Sequence, residues 1–134
     1  MTDDTYADSS ALVKLIIEEP ESSALRALAV PAAGLVTSHL AMVEVHRAAR
    51  MAHAMPASSE SARTLLASCR LIAVSDDVLG RARALASPRL RTLDAIHLAT
   101  ALRIRATRII TYDRRLIEAA SDAGLRVLHP GLAG

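Results

Sequence analysis

The stretch RIITYDRRLIEAASDAGLRVLHP, residues 108–130, predicts a β-strand, an α-helix and a second β-strand in immediate succession. The apolar run RIITYD (108–113) is typical of a buried strand, whereas RRLIEAASDA (114–123) has helical spacing and ends before Gly124, a residue type that commonly closes helices. LRVLHP (125–130) predicts the last strand. Because strands that are joined through a helix usually run in the same direction, these two strands are expected to be parallel.

The same alternation extends through the rest of the chain. Further strands are predicted at 5–8, 34–38 and 69–74. Helices are predicted at 9–19, 20–29, 40–54, 76–86 and 90–102, with one more that begins within 56–61 and ends near 67. Strands separated by helices of this length require a parallel sheet that is covered on both faces. The expected fold class is therefore α/β, with three layers.

The composition indicates one soluble domain over residues 1–134. With 134 residues, 51% of them apolar, the chain can bury a core, and no boundary or repeat divides it. The single cysteine, Cys69, has no disulfide partner and is expected to be a small buried residue, which fits a reducing cytoplasm. An acidic start at 1–10 and a lysine inside the apolar run 11–17 argue against export and against a membrane partner.

The charge is only mildly basic, but its composition bears on nucleic acid binding. The formal net charge is +2, and 15 of the 16 positively charged residues are arginine, because Lys14 is the single lysine. Arginine binds phosphate through a planar fork of donors, although biased codon usage would explain the same excess. With Tyr6 and Tyr112 as the only aromatic residues, binding of RNA or DNA would have to depend on phosphate contacts rather than base stacking.

Four acidic residues follow predicted strands or lie near the starts of predicted helices. They are Asp8, Glu44, Asp94 and Asp113. In parallel α/β sheets, ligands bind beyond the carboxyl ends of the strands, where these acids could converge. Each acid also has a structural explanation: a helix cap for Asp8 and Asp113, a favourable helix dipole for Asp94, and a solvated pair with Arg47 for Glu44. Together, however, unpaired carboxylates would repel one another and require a cation.

The segment LRTLDAIHLATAL (90–102) predicts a helix that is apolar over most of its surface but carries Asp94 and His97 one turn apart. Oxygen donors without a thiolate favour a hard ion such as Mg²⁺ or Mn²⁺ over Zn²⁺. No two of the five histidines have the HxxxH spacing of a metal site. His97 is expected mainly to pack in the core; the alternative is that it orients Asp94 or an incoming phosphate.

Four segments carry a resemblance to a known family. They are YADSSALVKL (6–15), VEV (43–45), LRTLDAIHLATAL (90–102) and ITYDRRLIEAA (110–120). In this order and at these separations they resemble PIN-domain ribonucleases of the VapC toxin type, and the resemblance covers nearly the whole chain. It implies a PIN-like α/β/α sandwich with a five-stranded parallel sheet, and an endoribonuclease that depends on Mg²⁺ or Mn²⁺.

The resemblance also assigns roles to individual residues. By position, the catalytic and metal-binding acids are Asp8, Glu44, Asp94 and Asp113. Ser9 and Thr111 match positions that support the site through hydroxyl hydrogen bonds. The implied chemistry is phosphodiester hydrolysis by a metal-activated water, without a side-chain nucleophile. The arginines that flank this edge could hold the RNA backbone, or could simply be solvated or paired with the acids; they are Arg47, Arg91, Arg114 and Arg115.

The partners implied by the resemblance are a second copy of the chain, in a homodimer, and a cognate VapB-type antitoxin that inhibits the toxin. The first two predicted helices contain many apolar residues, namely Leu12, Leu15, Ile16, Leu25 and Leu28. These could form a groove for a partner helix, although core packing is the default explanation. A cation of the antitoxin, such as an arginine, is expected to reach the acids.

Rival functions come from other classes. A PIN-like module that binds RNA or protein without catalysis is the main alternative. A receiver-type signalling domain needs a lysine at the end of the last strand, whereas Lys14 lies in the first predicted helix. A haloacid-dehalogenase-like phosphatase needs a second acid two residues after Asp8, where this chain has Ser10.

Overall fold

Five parallel strands form one sheet with the first strand at its centre. The computed structural model describes residues 4–28, 30–31, 34–53 and 56–133, apart from the side chains of residues 53, 56 and 57. The strands are β1 (Thr5–Ala7), β2 (Leu35–Ser38), β3 (Arg70–Ile72), β4 (Arg108–Ile110) and β5 (Arg126–Leu128). Their order in the sheet is β3-β2-β1-β4-β5, and every neighbouring pair is parallel. The expected five-stranded parallel α/β sheet is confirmed.

Helices connect the strands and cover both faces of the sheet. Within the described residues they are α1 (Ser9–Val13), α2 (Ser22–Ala27), α3 (Leu40–His53), α4 (Pro56–Ser68), α5 (Asp76–Ala84), α6 (Thr92–Arg103) and α7 (Arg114–Asp122). Side chains of successive strand residues point to opposite faces. Ala7 and Ile110 accordingly pack with α1, α3 and α4, whereas Tyr6 and Ile109 pack with α6 and α7. The two separate cores make the three-layer sandwich.

The strand order changes direction at β1. After β1 the chain adds β2 and β3 on one side, and it then crosses to add β4 and β5 on the other. Thr5 pairs with Arg108 and Ala7 with Ile110, so that β1 and β4 end at the same level. A crevice at the carboxyl ends of two such strands is the usual ligand site of parallel sheets. This edge is where the predicted acids follow β1 and β4.

Two predicted helices are shorter in the structure. The helix predicted at 9–19 is regular only to Val13, and the one predicted at 20–29 covers Ser22–Ala27, with residue 29 outside the described residues. After Val13 the backbone N–H groups of residues 14–16 donate to carbonyls three residues back, and further on the Ser22 hydroxyl accepts a hydrogen bond from the Glu19 N–H and donates one to the Ile17 carbonyl. These bonds stabilise a turn in place of a continuous helix. The helix predicted at 40–54 is described to His53, and residue 54 also lies outside the described part.

The strand predicted at 108–113 pairs regularly only over Arg108–Ile110, because Thr111 and the residues after it turn away to cap α7. Cys69 is buried, as expected, and burial raises the pKa of its thiol to about 11. Among the described residues, the helices are too short or too polar to cross a membrane.

Candidate functional site

The candidate site lies where β1 and β4 end. Asp8 follows β1, Asp113 precedes α7, Glu44 lies on α3 and Asp94 lies in the first turn of α6. The charges of the other three acids all act on Asp94 and raise its pKa. Residues that are up to 105 positions apart in the chain (8 to 113) therefore meet at one edge. Ser9, Glu44 and Asp113 line an open depression of about 510 Å³ there.

Asp8 is buried, and both of its carboxylate oxygens accept hydrogen bonds. Its Oδ1 accepts from Ser10 Oγ at 2.7 Å and from the Ala11 N–H at 3.1 Å, and its Oδ2 accepts from Thr111 Oγ1 at 2.7 Å. Burial raises the pKa of Asp8, although these hydrogen bonds oppose the effect. Asp8 is thus the N-cap of α1, as its structural explanation required, and it is also a member of the acidic cluster.

Glu44 is held by two side-chain donors that act on the same oxygen. Its Oε1 lies 2.6 Å from Ser9 Oγ and 2.7 Å from His97 Nε2. Burial raises the pKa of Glu44, but the hydrogen bonds from His97 and Ser9 outweigh burial and leave the pKa below its usual value. The structural explanation for Glu44, a solvated pair with Arg47, is not observed; its partners are Ser9 and His97.

His97 is 2% exposed and bonds Glu44 rather than Asp94. Its Nδ1 lies 2.7 Å from the Tyr6 hydroxyl, and the two rings meet edge to face with centroids 5.8 Å apart. Core packing was the expected role, and His97 does pack, but its two nitrogens also join β1 to α3. Tyr6 was not predicted as part of this site. Its position in a strand predicted to be buried could have indicated the contact, because a buried tyrosine hydroxyl needs a hydrogen-bond partner.

Asp94 is the least compensated of the four acids. In the part of the chain that the structure describes, its carboxylate receives no hydrogen bond and forms no ion pair. Burial and the negative charges of Asp113 and Asp8 raise the pKa of Asp94 to about 6, and Glu44 adds to the effect. A carboxylate in this environment would gain the most from a nearby cation.

Asp113 caps α7 with one oxygen. Its Oδ1 accepts hydrogen bonds from the N–H groups of Arg115 at 2.9 Å and Leu116 at 3.2 Å. Its own N–H donates to Thr111 Oγ1 at 3.2 Å, which links it to the hydroxyl that holds Asp8. Asp113 therefore caps a helix, as its structural explanation predicted, and it also lies in the acidic cluster.

Hydroxyl groups support the acids at each expected position. Ser9 donates to Glu44 and Thr111 donates to Asp8. The family resemblance implied hydroxyl hydrogen bonds from these two residues without naming their partners. Ser10 contributes a further link. Its hydroxyl donates to Asp8 and accepts from the Tyr112 N–H at 2.9 Å, so that it ties the end of β1 to the segment after β4.

The donor set fits a hard divalent cation in its chemistry. All four candidate ligands are carboxylates, whose oxygen atoms Mg²⁺ and Mn²⁺ prefer. The negative charges of Asp94 and the neighbouring acids repel one another. As the side chains of the described residues stand, no three or more acids, histidines or cysteines are gathered in a set that could hold a metal ion. Glu44 and Asp113 are instead engaged by His97 and by the start of α7. Binding a cation would therefore need side-chain movement.

Three of the flanking arginines are available for an anionic ligand. Arg47 and Arg91 are exposed, and neither they nor Arg115 forms a salt bridge with a described acid. Arg114 instead donates to the Ala133 carbonyl at 2.9 Å. Of the two alternatives to RNA binding, solvation and pairing with the acids, the exposed Arg47 and Arg91 match solvation.

The apolar residues of the first two helices divide between core and surface cavity. Leu12 and Leu25 are buried in the core, as the packing explanation predicts. Leu15 and Leu28 are partly buried and line an apolar cavity of about 240 Å³, with Arg26 also in its wall. The cavity lies between α2 and α4, on the face of the sheet covered by α1.

Comparison with known proteins identifies relatives along the full length of the chain. The PIN domain family matches residues 5–122. Ribonuclease VapC46 of Mycobacterium tuberculosis (strain ATCC 25618 / H37Rv) is 43% identical over 127 residues, which cover 93% of this chain and 96% of the relative. Ribonuclease VapC47 of M. tuberculosis (strain CDC 1551 / Oshkosh) is 37% identical over 132 residues, which cover 94% and 96% of the two chains.

The fold also has relatives among solved structures. A chain of a toxin–antitoxin complex from Klebsiella pneumoniae superposes with a TM-score of 0.72 and 28% sequence identity. The match covers 95% of this chain and 98% of that one. The similarity therefore extends over the sheet and its helices rather than a local motif.

Proposed function

The chain belongs to the PIN-domain family, to its VapC group, and from this premise we propose that it is a metal-dependent endoribonuclease that acts as the toxin of a toxin–antitoxin pair in the cytoplasm. The relatives VapC46 and VapC47 are named as ribonucleases. The catalytic acids in this proposal are Asp8, Glu44, Asp94 and Asp113.

The observation that carries the proposal is the uncompensated charge of Asp94. Its pKa is raised to about 6 by burial and by the other acids, and it has no hydrogen-bond or ion-pair partner among the described residues. An anionic RNA phosphate would be repelled by such a cluster, whereas a divalent cation would be attracted to it and would in turn bind the phosphate. The cluster therefore suits a phosphodiester substrate only in the presence of a metal.

Mg²⁺ or Mn²⁺ would be held by these four acids and, when bound, would activate the attacking water and neutralise charge on the phosphate oxygens. The chain's own residues prepare the acids for this task. Thr111 and Ser10 keep Asp8 in one orientation, and Ser9 and His97 keep Glu44 ionised. Arg47 follows Glu44 by three residues on α3 and Arg91 precedes Asp94 by three residues, and both are exposed, so they would bind the RNA backbone.

The proposed partners are a VapB-type antitoxin and a second copy of this chain. The relative from K. pneumoniae is part of a toxin–antitoxin complex. The apolar cavity lined by Leu15 and Leu28 offers a surface on which an antitoxin helix could place its apolar side chains. A basic antitoxin side chain that reached Asp94 would neutralise the same charge as the metal.

RNA cleavage by acid variants tests the proposal. Purified wild type is expected to cut RNA with Mn²⁺ and to stop when EDTA is added, and Asp8→Asn and Asp94→Asn are expected to lose activity about 100-fold or more. Asparagine retains the capping ability of Asp8, so that folding is preserved. Asp77→Asn is the matched control, because Asp77 pairs with Arg81 and Arg103 on the surface of α5.

Sequencing of RNA ends after brief expression identifies the cleavage sites. Wild type should produce new 5′ ends that neither acid variant produces. Identical end profiles for wild type and both acid variants would mean that the chain does not cut RNA, and a PIN-like module that binds RNA or protein without catalysis would then be favoured.

A further inference from the structure

A buried chain of hydrogen bonds runs behind the acidic cluster, through Tyr6, His97 and Glu44. We propose that His97 is a positioning residue for the nuclease reaction: its Nε2–H holds Glu44, and the hydrogen bonds to Tyr6 and Glu44 together fix the tautomer of its ring. This inference rests on the proposed function but concerns residues that do not contact the substrate.

The direction of each hydrogen bond follows from the groups at the two ends. A tyrosine hydroxyl carries its proton at neutral pH, and that of Tyr6 lies 2.7 Å from His97 Nδ1, to which it can donate a hydrogen bond. The carboxylate of Glu44 can only accept. A ring that accepts at Nδ1 carries its proton on Nε2, which lies 2.7 Å from Glu44 Oε1. The Tyr6–His97–Glu44 chain therefore selects one tautomer of the histidine.

The chain also connects the elements that carry the acids. His97 and Asp94 are one turn apart on α6, Glu44 lies on α3, and Tyr6 lies in β1 two residues before Asp8. A hydrogen bond from His97 to Glu44 thus fixes α3 relative to α6. Because His97 and Ser9 both act on Oε1, the other oxygen of Glu44 has no hydrogen-bond partner among the described residues.

Burial alone does not require a histidine at this position. An apolar side chain of similar volume would fill the space without needing polar partners. Here both ring nitrogens are satisfied at 2.7 Å, and the side chain is 2% exposed. Removal of a hydrogen-bond partner of a metal ligand typically lowers metal affinity or activity about 10- to 100-fold, and Glu44 is such a ligand in the proposed function. A loss of this size is therefore expected when His97 can no longer donate to Glu44.

Two substitutions separate positioning from packing. The amide nitrogen of His97→Gln can take the place of Nε2 and donate to Glu44, whereas the shorter amide of His97→Asn lies near the place of Nδ1 and cannot reach Glu44. His97→Asn is expected to lower kcat/KM for RNA about 10- to 100-fold, and His97→Gln to recover most of this loss. Both variants remove the ring, so a purely structural role predicts that activity follows the melting temperature and that glutamine gives no rescue.

A second measurement needs no substitution and no metal. Long-range ¹H–¹⁵N NMR spectra of the ¹⁵N-labelled, metal-free chain should show the His97 proton on Nε2 alone. In Tyr6→Phe, which lacks the hydroxyl, Glu44 still accepts from Nε2, so the same tautomer is expected, but the Nδ1 resonance should shift because Nδ1 has lost its hydrogen-bond donor. The hydroxyls of Thr37 and Thr100 also lie near the phenol and could accept its proton instead; a proton on Nδ1 of His97 in the wild type would show this and overturn the inference.

The outcomes distinguish the two proposals. A wild-type chain that does not cut RNA with Mn²⁺ overturns the proposed function. A wild-type chain that cuts RNA while His97→Asn is equally active, or while His97→Gln is as impaired as His97→Asn, overturns the role of His97 alone. If neither variant folds, the NMR result on wild type still decides between the tautomers.

Discussion

At the scale of single residues, the acids of the site differ in how their charge is compensated. Asp8 accepts three hydrogen bonds and Glu44 accepts two, whereas Asp94 accepts none from the described residues. Hydrogen bonds to a carboxylate favour its charged form, and neighbouring negative charges oppose it. The pKa of Glu44 is accordingly lowered and that of Asp94 is raised. Asp94 is therefore the acid whose charge is opposed by its neighbours without hydrogen bonds from the described residues to offset them.

The raised pKa of Asp94 predicts a dependence of stability on pH. Its pKa rises from 3.8 to about 6 on folding, so that between these values the folded chain binds more protons than the unfolded chain. The contribution of Asp94 to the free energy of unfolding should therefore fall as the pH rises from about 4 to about 6, and remain low above that range. Asp94→Asn should be more stable than wild type above about pH 6 and should have no advantage below about pH 4.

Denaturant unfolding in metal-free buffer at several pH values measures this difference. Since Asp94 is only half-buried, solvent screening limits the expected gain at neutral pH to about 1 kcal/mol. Asp77→Asn serves as the control, because Asp77 is paired with arginines and has a lowered pKa. An Asp94→Asn variant that is less stable than wild type at pH 8 would contradict the assignment of uncompensated charge to Asp94.

At the scale of secondary-structure elements, residues of the site also begin helices. Asp8 accepts from the Ala11 N–H at the start of α1, and Asp113 accepts from two N–H groups at the start of α7. The capping and functional explanations considered for these acids are thus compatible. A cap uses lone pairs of one oxygen and leaves the charge of the carboxylate in place. The same side chain can therefore start a helix and repel its neighbours across the sheet edge.

Substitution of Asp113 separates the cap from the charge. Asp113→Asn should retain the stability of wild type within a few tenths of a kcal/mol, because asparagine caps helices as well as aspartate. Asp113→Ala should lower the free energy of unfolding by about 1 kcal/mol. Both should impair RNA cleavage, because both remove one charge from the cluster. Urea unfolding and cleavage assays are the two measurements.

Ser75 provides the matched control for the cap. It caps α5 by accepting from the Val78 N–H at 3.2 Å, away from the acids. Ser75→Ala should therefore lose about 1 kcal/mol of stability and keep its cleavage activity. Cleavage that fell to the same degree in Ser75→Ala and Asp113→Asn would indicate that activity follows stability rather than charge.

At the scale of the whole molecule, the sheet is buried on both faces and supports the site from its centre. Ile109 and Ile110 are successive residues of β4, yet they belong to different cores. Both are nearly inaccessible to solvent, at 0% and 2% exposure. Since β4 lies directly beside β1, the layers on both sides determine where Asp8 and Thr111 stand.

Truncation of either isoleucine should therefore destabilise the fold to a similar degree. Ile109→Ala and Ile110→Ala are each expected to lower the free energy of unfolding by about 2 to 5 kcal/mol. Arg126→Ala, at an exposed position of the edge strand β5, should change it by less than about 0.5 kcal/mol. Guanidinium unfolding curves give all three values. A loss under about 1 kcal/mol for one isoleucine would mean that its face of the sheet is not a closed core.

The alternation of strands and helices was determined by the sequence itself, because hydrophobic spacing, helix caps and helix-breaking residues act over a few neighbouring positions. It predicted the parallel α/β sandwich and indicated that Asp8, Glu44, Asp94 and Asp113 could converge at one sheet edge, and the family resemblance added Ser9 and Thr111. The catalytic roles of these residues stay predictions. Element ends were less predictable: the first predicted helix is regular only to Val13, and Ser22 holds the turn that follows through hydrogen bonds that spacing does not encode.

Only the tertiary structure decided which distant side chains meet. The order β3-β2-β1-β4-β5 brings Thr111 to Asp8, 103 residues away, and the packing of α3 and α6 beside β1 brings His97 to both Tyr6 and Glu44. The pattern of a strand or helix shows which face is buried, but not which other segment covers that face. That choice depends on how all the layers pack together, and it made His97 a partner of Glu44 rather than of its helical neighbour Asp94.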